Sequence, residues 1–206
     1  MPAAHTSLIA REGWPLVGLA AGAAMVVSHF AGWWWGLPLW ILVLLLLYLF
    51  RDPRREIPPM PLAVVAPADG EVIAVDSIRD PFLDRDAVCI AIAMALGGAF
   101  STRAPIEARI QELPRRATEG KDQPHGIWLQ TDEGDDLIMV MHRSRVGAAP
   151  RCYVQFGDRV GQGQRCGYAY FGAEVDVYVP ANSRVKVKPG DRVRAGADVI
   201  ALLTHK

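Results

Sequence analysis

Thirty-seven consecutive residues, Trp14 to Phe50, contain no Asp, Glu, Lys or Arg. An uncharged run of that length is read as lipid-solvated. A single spanning helix takes ~20 apolar residues. The run is too long for one such helix and suits two short ones with a tight turn. Ala31-Gly32-Trp33-Trp34-Trp35-Gly36-Leu37-Pro38 marks the break. Gly and Pro punctuate it, and clustered Trp suits the headgroup level. The expected helices are 14–31 and 38–50, forming a transmembrane or re-entrant hairpin. Ser28 and His29 are read as polar residues tolerated near the far interface.

The charges divide the chain in the same way. Only Arg11 and Glu12 are charged within residues 1–50, although the 206-residue chain has 22 basic and 22 acidic residues. Five of the six Trp also fall there. Arg11 precedes the apolar run, Arg51, Arg54 and Arg55 follow it, and the turn has no cation. The positive-inside rule then puts both ends, and all that follows, on the cytoplasmic side of an inner membrane. A signal peptide with a periplasmic domain is the competing reading, and the run is long for it. A net charge of zero argues against a nucleic-acid partner. Cys89, Cys152 and Cys166 lack CxxC spacing and read as reduced thiols. The His residues at 5, 29, 125, 142 and 205 lack ligand spacing, so no metal is expected.

Beyond the apolar run, residues 51–60 read as a Pro-stiffened juxtamembrane linker, and 61–206 as a mainly β domain. Expected strands are 71–76, 87–94, 108–113, 126–130, 136–142, 151–156, 174–179, 184–188 and 199–203, with a hairpin turn at 131–135. Arg184-Val185-Lys186-Val187-Lys188 alternates strictly, one face buried and one wet. Gly157-Asp158-Arg159-Val160-Gly161-Gln162-Gly163 recurs as Gly190-Asp191-Arg192-Val193-Arg194-Ala195-Gly196, with five of seven positions identical. Each copy places a Gly-Asp turn before a Val expected to be buried. Two such units predict a pseudo-symmetric, barrel-sandwich-like β domain.

Four segments carry a resemblance. They are Phe50-Arg51-Asp52-Pro53, then Ala66-Pro67-Ala68-Asp69-Gly70-Glu71-Val72, then Ile90–Met94 with Arg103-Ala104-Pro105-Ile106, and Phe171-Gly172-Ala173-Glu174-Val175-Asp176-Val177-Tyr178-Val179-Pro180. In this order they resemble the short bacterial type of the phosphatidylserine decarboxylase family. The resemblance implies a pyruvoyl enzyme that cuts itself at a Gly–Ser bond. The Ser hydroxyl attacks the preceding carbonyl, and β-elimination leaves a pyruvoyl N-terminus. That carbonyl takes the substrate amine as a Schiff base and drains the electrons of the departing CO₂, giving phosphatidylethanolamine. An Asp and a His assist.

The chain departs from that pattern where it matters most. The Gly–Ser pair falls on Gly172-Ala173, and Ala has no hydroxyl to attack or eliminate. Phe100 stands at the family's His position, and a phenyl ring moves no proton. Asp69 is retained; by itself, before Gly70, it also reads as a turn residue. No cofactor is therefore expected, since the pyruvoyl group cannot arise at Ala173. Asp176 is given no catalytic role, and Gly97-Gly98 reads as a turn.

The first functional reading is a catalytically impaired, membrane-anchored family member that binds aminophospholipid or regulates a true decarboxylase. Its partners would be the phospholipid membrane and phosphatidylserine, with homo-oligomers or pairing with an active homologue implied by the resemblance. A second reading is an active decarboxylase using divergent chemistry. A third is a non-enzymatic barrel-sandwich membrane adaptor, which would carry a helical hairpin inserted in the barrel. A carrier with Lys186 or Lys188 as its arm is disfavoured by the strand context.

Overall fold

A computed structural model describes residues 10, 13–53, 55–60, 62–95, 97–113, 125–144, 149–170 and 173–204. The chain forms two compact units, Met1–Arg54 and Arg55–Lys206.

The first unit is a helical hairpin of α1 (Trp14–Phe30) and α2 (Trp33–Leu49). Pro15 lies in the first turn of α1, where the missing N–H costs nothing. Gly32, at φ +95°, makes the turn. The buried positions fall seven apart on each helix, Val17 and Ala24 on α1, Gly36 and Val43 on α2. Each helix thus gives one stripe to its neighbour. A Cβ at Gly36 would run into Ser28 Oγ, so the helices meet closely at this point. Large apolar side chains cover the outside: Leu19, Phe30, Trp34 and Leu44 are all exposed.

One sequence expectation changes here. Helix two begins at Trp33, not at Pro38, so the Trp cluster is helical and the break is only Ala31-Gly32. Pro38 sits in the second turn, where it forfeits a single backbone bond. Each helix has 17 residues, or about 25 Å at 1.5 Å per residue, against a hydrocarbon core of about 30 Å. No described helix is long and apolar enough to cross a membrane. The expected transmembrane or re-entrant hairpin is thus present as a pair of 17-residue helices. Arg11 and Arg54 lie outside the described residues.

The second unit is mainly β. Its strands are β1 (Ala63–Val65), β2 (Gly70–Asp80), β3 (Arg85–Met94), β4 (Ser101–Arg103), β5 (Ala108–Gln111), β6 (His125–Gln130), β7 (Asp136–Met141), β8 (Arg151–Cys152), β9 (Arg159–Val160), β10 (Arg165–Tyr168), β11 (Glu174–Pro180), β12 (Arg184–Val185), β13 (Arg192–Val193) and β14 (Val199–Leu202). All the pairings are antiparallel. They form an eight-stranded sheet, β13-β2-β3-β11-β7-β6-β5-β9, and two three-stranded sheets, β1-β14-β12 and β4-β10-β8. No sheet closes into a barrel among the described residues, and no helical hairpin interrupts this unit.

The centre of the large sheet is apolar on both faces. Ile90, Ile92, Met139, Met141, Val175 and Val177 are fully buried on one face. Ala87, Cys89, Ile138, Val140 and Tyr178 form a cluster on the other, under Phe82, Leu83, Leu113 and Trp128. A strand covered on both sides reads as a continuous apolar run, as Leu137–Met141 does. Each such Ile, Leu or Met contributes about 1.5–3 kcal/mol by leaving water.

The two sequence repeats are wired alike. Gly157 N donates to Ile110 O (3.0 Å) and Ile110 N to Asp158 O (2.8 Å). Likewise Gly190 N donates to Val72 O (2.8 Å) and Val72 N to Asp191 O (2.9 Å). The glycines take matching positive φ values, +89° and +95° for Gly157 and Gly190, +69° and +72° for Gly163 and Gly196. Val160 and Val193 are both buried, as the repeat predicts. The connecting loops answer each other too: Arg103 N bonds Pro67 O and Val65 N bonds Pro105 O, both at 2.8 Å.

The boundary between the two units falls within the expected juxtamembrane linker 51–60, and the β unit begins at Arg55. A Cβ at Gly163 would lie 2.8 Å from Ile57 Cγ1, so the segment crosses that turn tightly.

Candidate functional site

Asp69 sits in the bend between β1 and β2 and is buried. Its carboxylate is fully engaged. Oδ1 accepts from Ala195 N (2.7 Å), and Oδ2 accepts from Ala99 N (3.0 Å) and from Arg55 Nη2 (2.7 Å). Two backbone donors and a guanidinium offset the cost of desolvating the charge. The loop 97–100 closes over it. A Cβ at Gly98 would come within 2.6 Å of Asp69 Cβ, so close approach accounts for this glycine. Arg55, one of the cations that follow the apolar run, is this carboxylate's ion-pair partner.

Hydrogen bonds link the three described positions that the sequence singled out. Ala173 O accepts from Met94 N (3.0 Å), and the next residue, Ala95, donates its N–H to Asp69 O (3.0 Å). Asp69 Oδ2 then holds Ala99 N, next to Phe100. Ala173 is buried, and its own N–H donates to Tyr170 O (3.1 Å). Phe100 is buried edge-on to Tyr168 (centroids 6.3 Å), which stacks edge-on to Tyr170 (5.0 Å). An aromatic group, with no imidazole, therefore occupies this end of the site. Gly172 lies outside the described residues.

The sequence reading missed one constellation. His142 follows β7 and donates its backbone N–H to Glu174 O (2.9 Å). Its Nε2 lies 2.7 Å from Asp176 Oδ2. The hydrogen bond to Asp176 raises the imidazole pKa above its ordinary 6.5, with Asp176 and Glu174 charges adding to the effect. Strand parity puts His142 on the sheet face of Asp176 and Tyr178, opposite to the buried Ala173 and Val175. Burial disfavours the thiolate at each of the three cysteines. Burial pushes the Cys89 and Cys166 thiols up to about 12, and raises Cys152 as well. An open groove of about 690 Å³ lies away from Asp69, between Pro58, Met60 and Ile106 on one side and Glu107, Asp132 and Glu133 on the other. Arg159 pairs with both Glu107 and Asp132.

Relatives share nearly the whole of this framework. The chain is 40% identical to the phosphatidylserine decarboxylase proenzyme of Nitrosomonas eutropha over 206 aligned residues, 94% of each chain. It is 36% identical to that of Aromatoleum aromaticum, over 95% of this chain and 96% of the relative. The chain belongs to the phosphatidylserine decarboxylase family. The family model for phosphatidylserine decarboxylase matches residues 125–201, from β6 to β14. The solved glucose permease IIA from Mycoplasma capricolum superposes with a TM-score of 0.47 at 20% identity, covering 69% of this chain and 96% of that one, a likeness too loose to argue from. Within the family framework, Asp69 and Ala173 are held by backbone bonds on adjoining strand ends, whereas His142 comes from the neighbouring strand.

Proposed function

We propose that this protein is a non-cleaving member of the phosphatidylserine decarboxylase family that binds aminophospholipid at the cytoplasmic face of an inner membrane. The observation that carries this reading is the chemistry at Ala173 and Phe100. If they stand where the family has its Ser and His, the first offers a buried methyl and the second a ring packed against Tyr168. These residues do not fit a self-generated pyruvoyl group, since neither an attacking hydroxyl nor a proton carrier is present. The Asp69 carboxylate, saturated by three donors, serves in this reading as a brace and not as a base.

The exposed apolar flanks of α1 and α2 support lodging of the hairpin in the lipid, with about 25 Å helices dipping into the membrane without crossing it. The matched wiring of the two repeats supports a pseudo-symmetric barrel-sandwich plan for the β unit.

An intact-mass spectrum of the purified chain tests the reading. One species of 22.5 kDa, inert to a carbonyl reagent, supports it. Two fragments, one with a blocked N-terminus, overturn it.

A second reading has its own support. Near-full-length likeness to curated proenzymes favours an active decarboxylase. That reading requires phosphatidylethanolamine to appear when purified protein meets phosphatidylserine. No product from protein of verified fold would exclude it.

A further inference from the structure

We propose that the edge strand β12 and the turn after it form the surface by which the β unit docks on an anionic phospholipid bilayer. The inference rests on the membrane reading above and gives it a location. Residues 184–194 contain five cations, Arg184, Lys186, Lys188, Arg192 and Arg194, and one acid, Asp191, in a chain whose net charge is zero. The positive charge is therefore gathered, not spread. Arg194 is neutralised by Asp198 at 3.0 Å. Arg192 lies across its strand pair from Glu71, which leaves Arg184, Lys186 and Lys188 as the cations of the patch. Asp191 turns its carboxylate to the backbone N–H of Lys188.

The backbone explains why these cations point outward together. β12 is the last strand of the β1-β14-β12 sheet, and its pairing continues through Lys186 N to Ile200 O (2.9 Å). Arg184, Lys186 and Lys188 are exposed, while Val185 and Val187 between them are half-buried. Alternate strand residues lie ~6.6 Å apart, so three cations form a line of about 13 Å. Their spacing is within the ~8 Å screening length of physiological salt, so their fields add at a charged surface. β13, which carries Arg192, is likewise a terminal strand of its sheet.

Cations on an edge strand also deter pairing with another strand, but that role needs no lipid and predicts no dependence on lipid charge. Nucleic acid is the poorer partner: the segment has no aromatic side chain to stack on bases.

The test uses the full chain in nanodiscs of phosphatidylcholine, alone or mixed with phosphatidylglycerol. A water-soluble acylating reagent labels Lys186 and Lys188, and mass spectrometry reads the rate at each. Docking predicts labelling about fivefold slower in the anionic discs, with the difference abolished by high salt. In the variant Arg184→Glu/Lys188→Glu, Lys186 should label equally fast in both discs. Equal rates for the unaltered chain in both discs overturn the proposal. So does protection in lipid-free detergent that grows with protein concentration, which would mean a second copy, or protection that needs an added oligonucleotide. Co-migration of the chain with the discs is scored separately. A chain that co-migrates but labels equally refutes the docking surface alone, and one that fails to co-migrate refutes the membrane reading with it.

Discussion

Asp69 holds three stretches of chain with one carboxylate, so its replacement unbalances more than one contact. Asp69→Asn leaves Arg55 without its anion in a partly buried position, and the β unit should lose about 3 kcal/mol in a urea melt. Arg55→Met should cost less, about 1–2 kcal/mol, because two backbone donors still hold the carboxylate. The reverse order would mean that Arg55, and not Asp69, anchors this junction. Repair of the site makes a sharper demand. Ala173→Ser alone should leave the chain intact for days, for want of a base worth about 10²–10⁴-fold. Ala173→Ser with Phe100→His should cut after Gly172, giving fragments of 172 and 34 residues by mass. An intact, folded double variant would show that Phe100 is not the family's His position or that more than these two groups has been lost. His142 supplies a pH dependence. Its pKa is raised in the fold, chiefly by the Asp176 hydrogen bond, above the 6.5 of the free group. The folded state thus binds this proton more tightly than the unfolded state does. The pair's stabilisation is complete below about pH 6.5 and disappears as pH rises through the folded value. The melting temperature of the native chain should exceed that of His142→Gln in acid, and the gap should narrow toward pH 9. A gap that widens with pH would contradict the pairing.

Turns, at the level of elements, carry the repeat. Gly157 and Gly163 both have positive φ, but Gly157 faces open space while Gly163 meets Ile57. Gly157→Ala should cost about 1 kcal/mol, for backbone strain alone, and Gly163→Ala about 2 kcal/mol. Equal losses in thermal melts would show that Ile57 does not press on this turn. The same elements explain what the sequence could and could not disclose. β2, β3, β6, β7 and β11 have six or more residues, enough to display their β-branched and apolar runs, and all were foreseen within a few residues. β1, β4 and β10 have three or four residues and show no period, while β9 and β13 were visible only as the buried Val of the repeat. The stretch expected as a strand over 151–156 is a strand only at Arg151 and Cys152; one more bond to β10, Tyr153 N to Cys166 O (2.9 Å), follows before the chain reaches the Gly157 bend. Asp69 was legible as a motif residue. Its partner Arg55 was not, since nothing in a local pattern joins residues 14 apart across a packed segment. His142 and Asp176 are 34 residues apart, and only the β7–β11 register, which no composition reveals, makes them neighbours.

For the whole molecule, the membrane reading makes a plain demand. The protein should stay with the membrane fraction through carbonate extraction, and a reporter fused after Lys206 should read cytoplasmic. Release into the supernatant, or a periplasmic reporter signal, would refute it. The connectivity of the β unit also fixes an order of events. Its first strand, β1, pairs with its last, β14, and Asp69 waits for the backbone of Ala195. Both partners lie beyond residue 194, whereas the hairpin is complete by residue 50. During vectorial synthesis the N-terminal unit can therefore settle first, while the Asp69 carboxylate stays exposed and the edge of β1 stays open. On the membrane reading proposed above, the chain is anchored before its β unit can close, and a chain interrupted before Ala195 would stay tethered with an unsealed sheet.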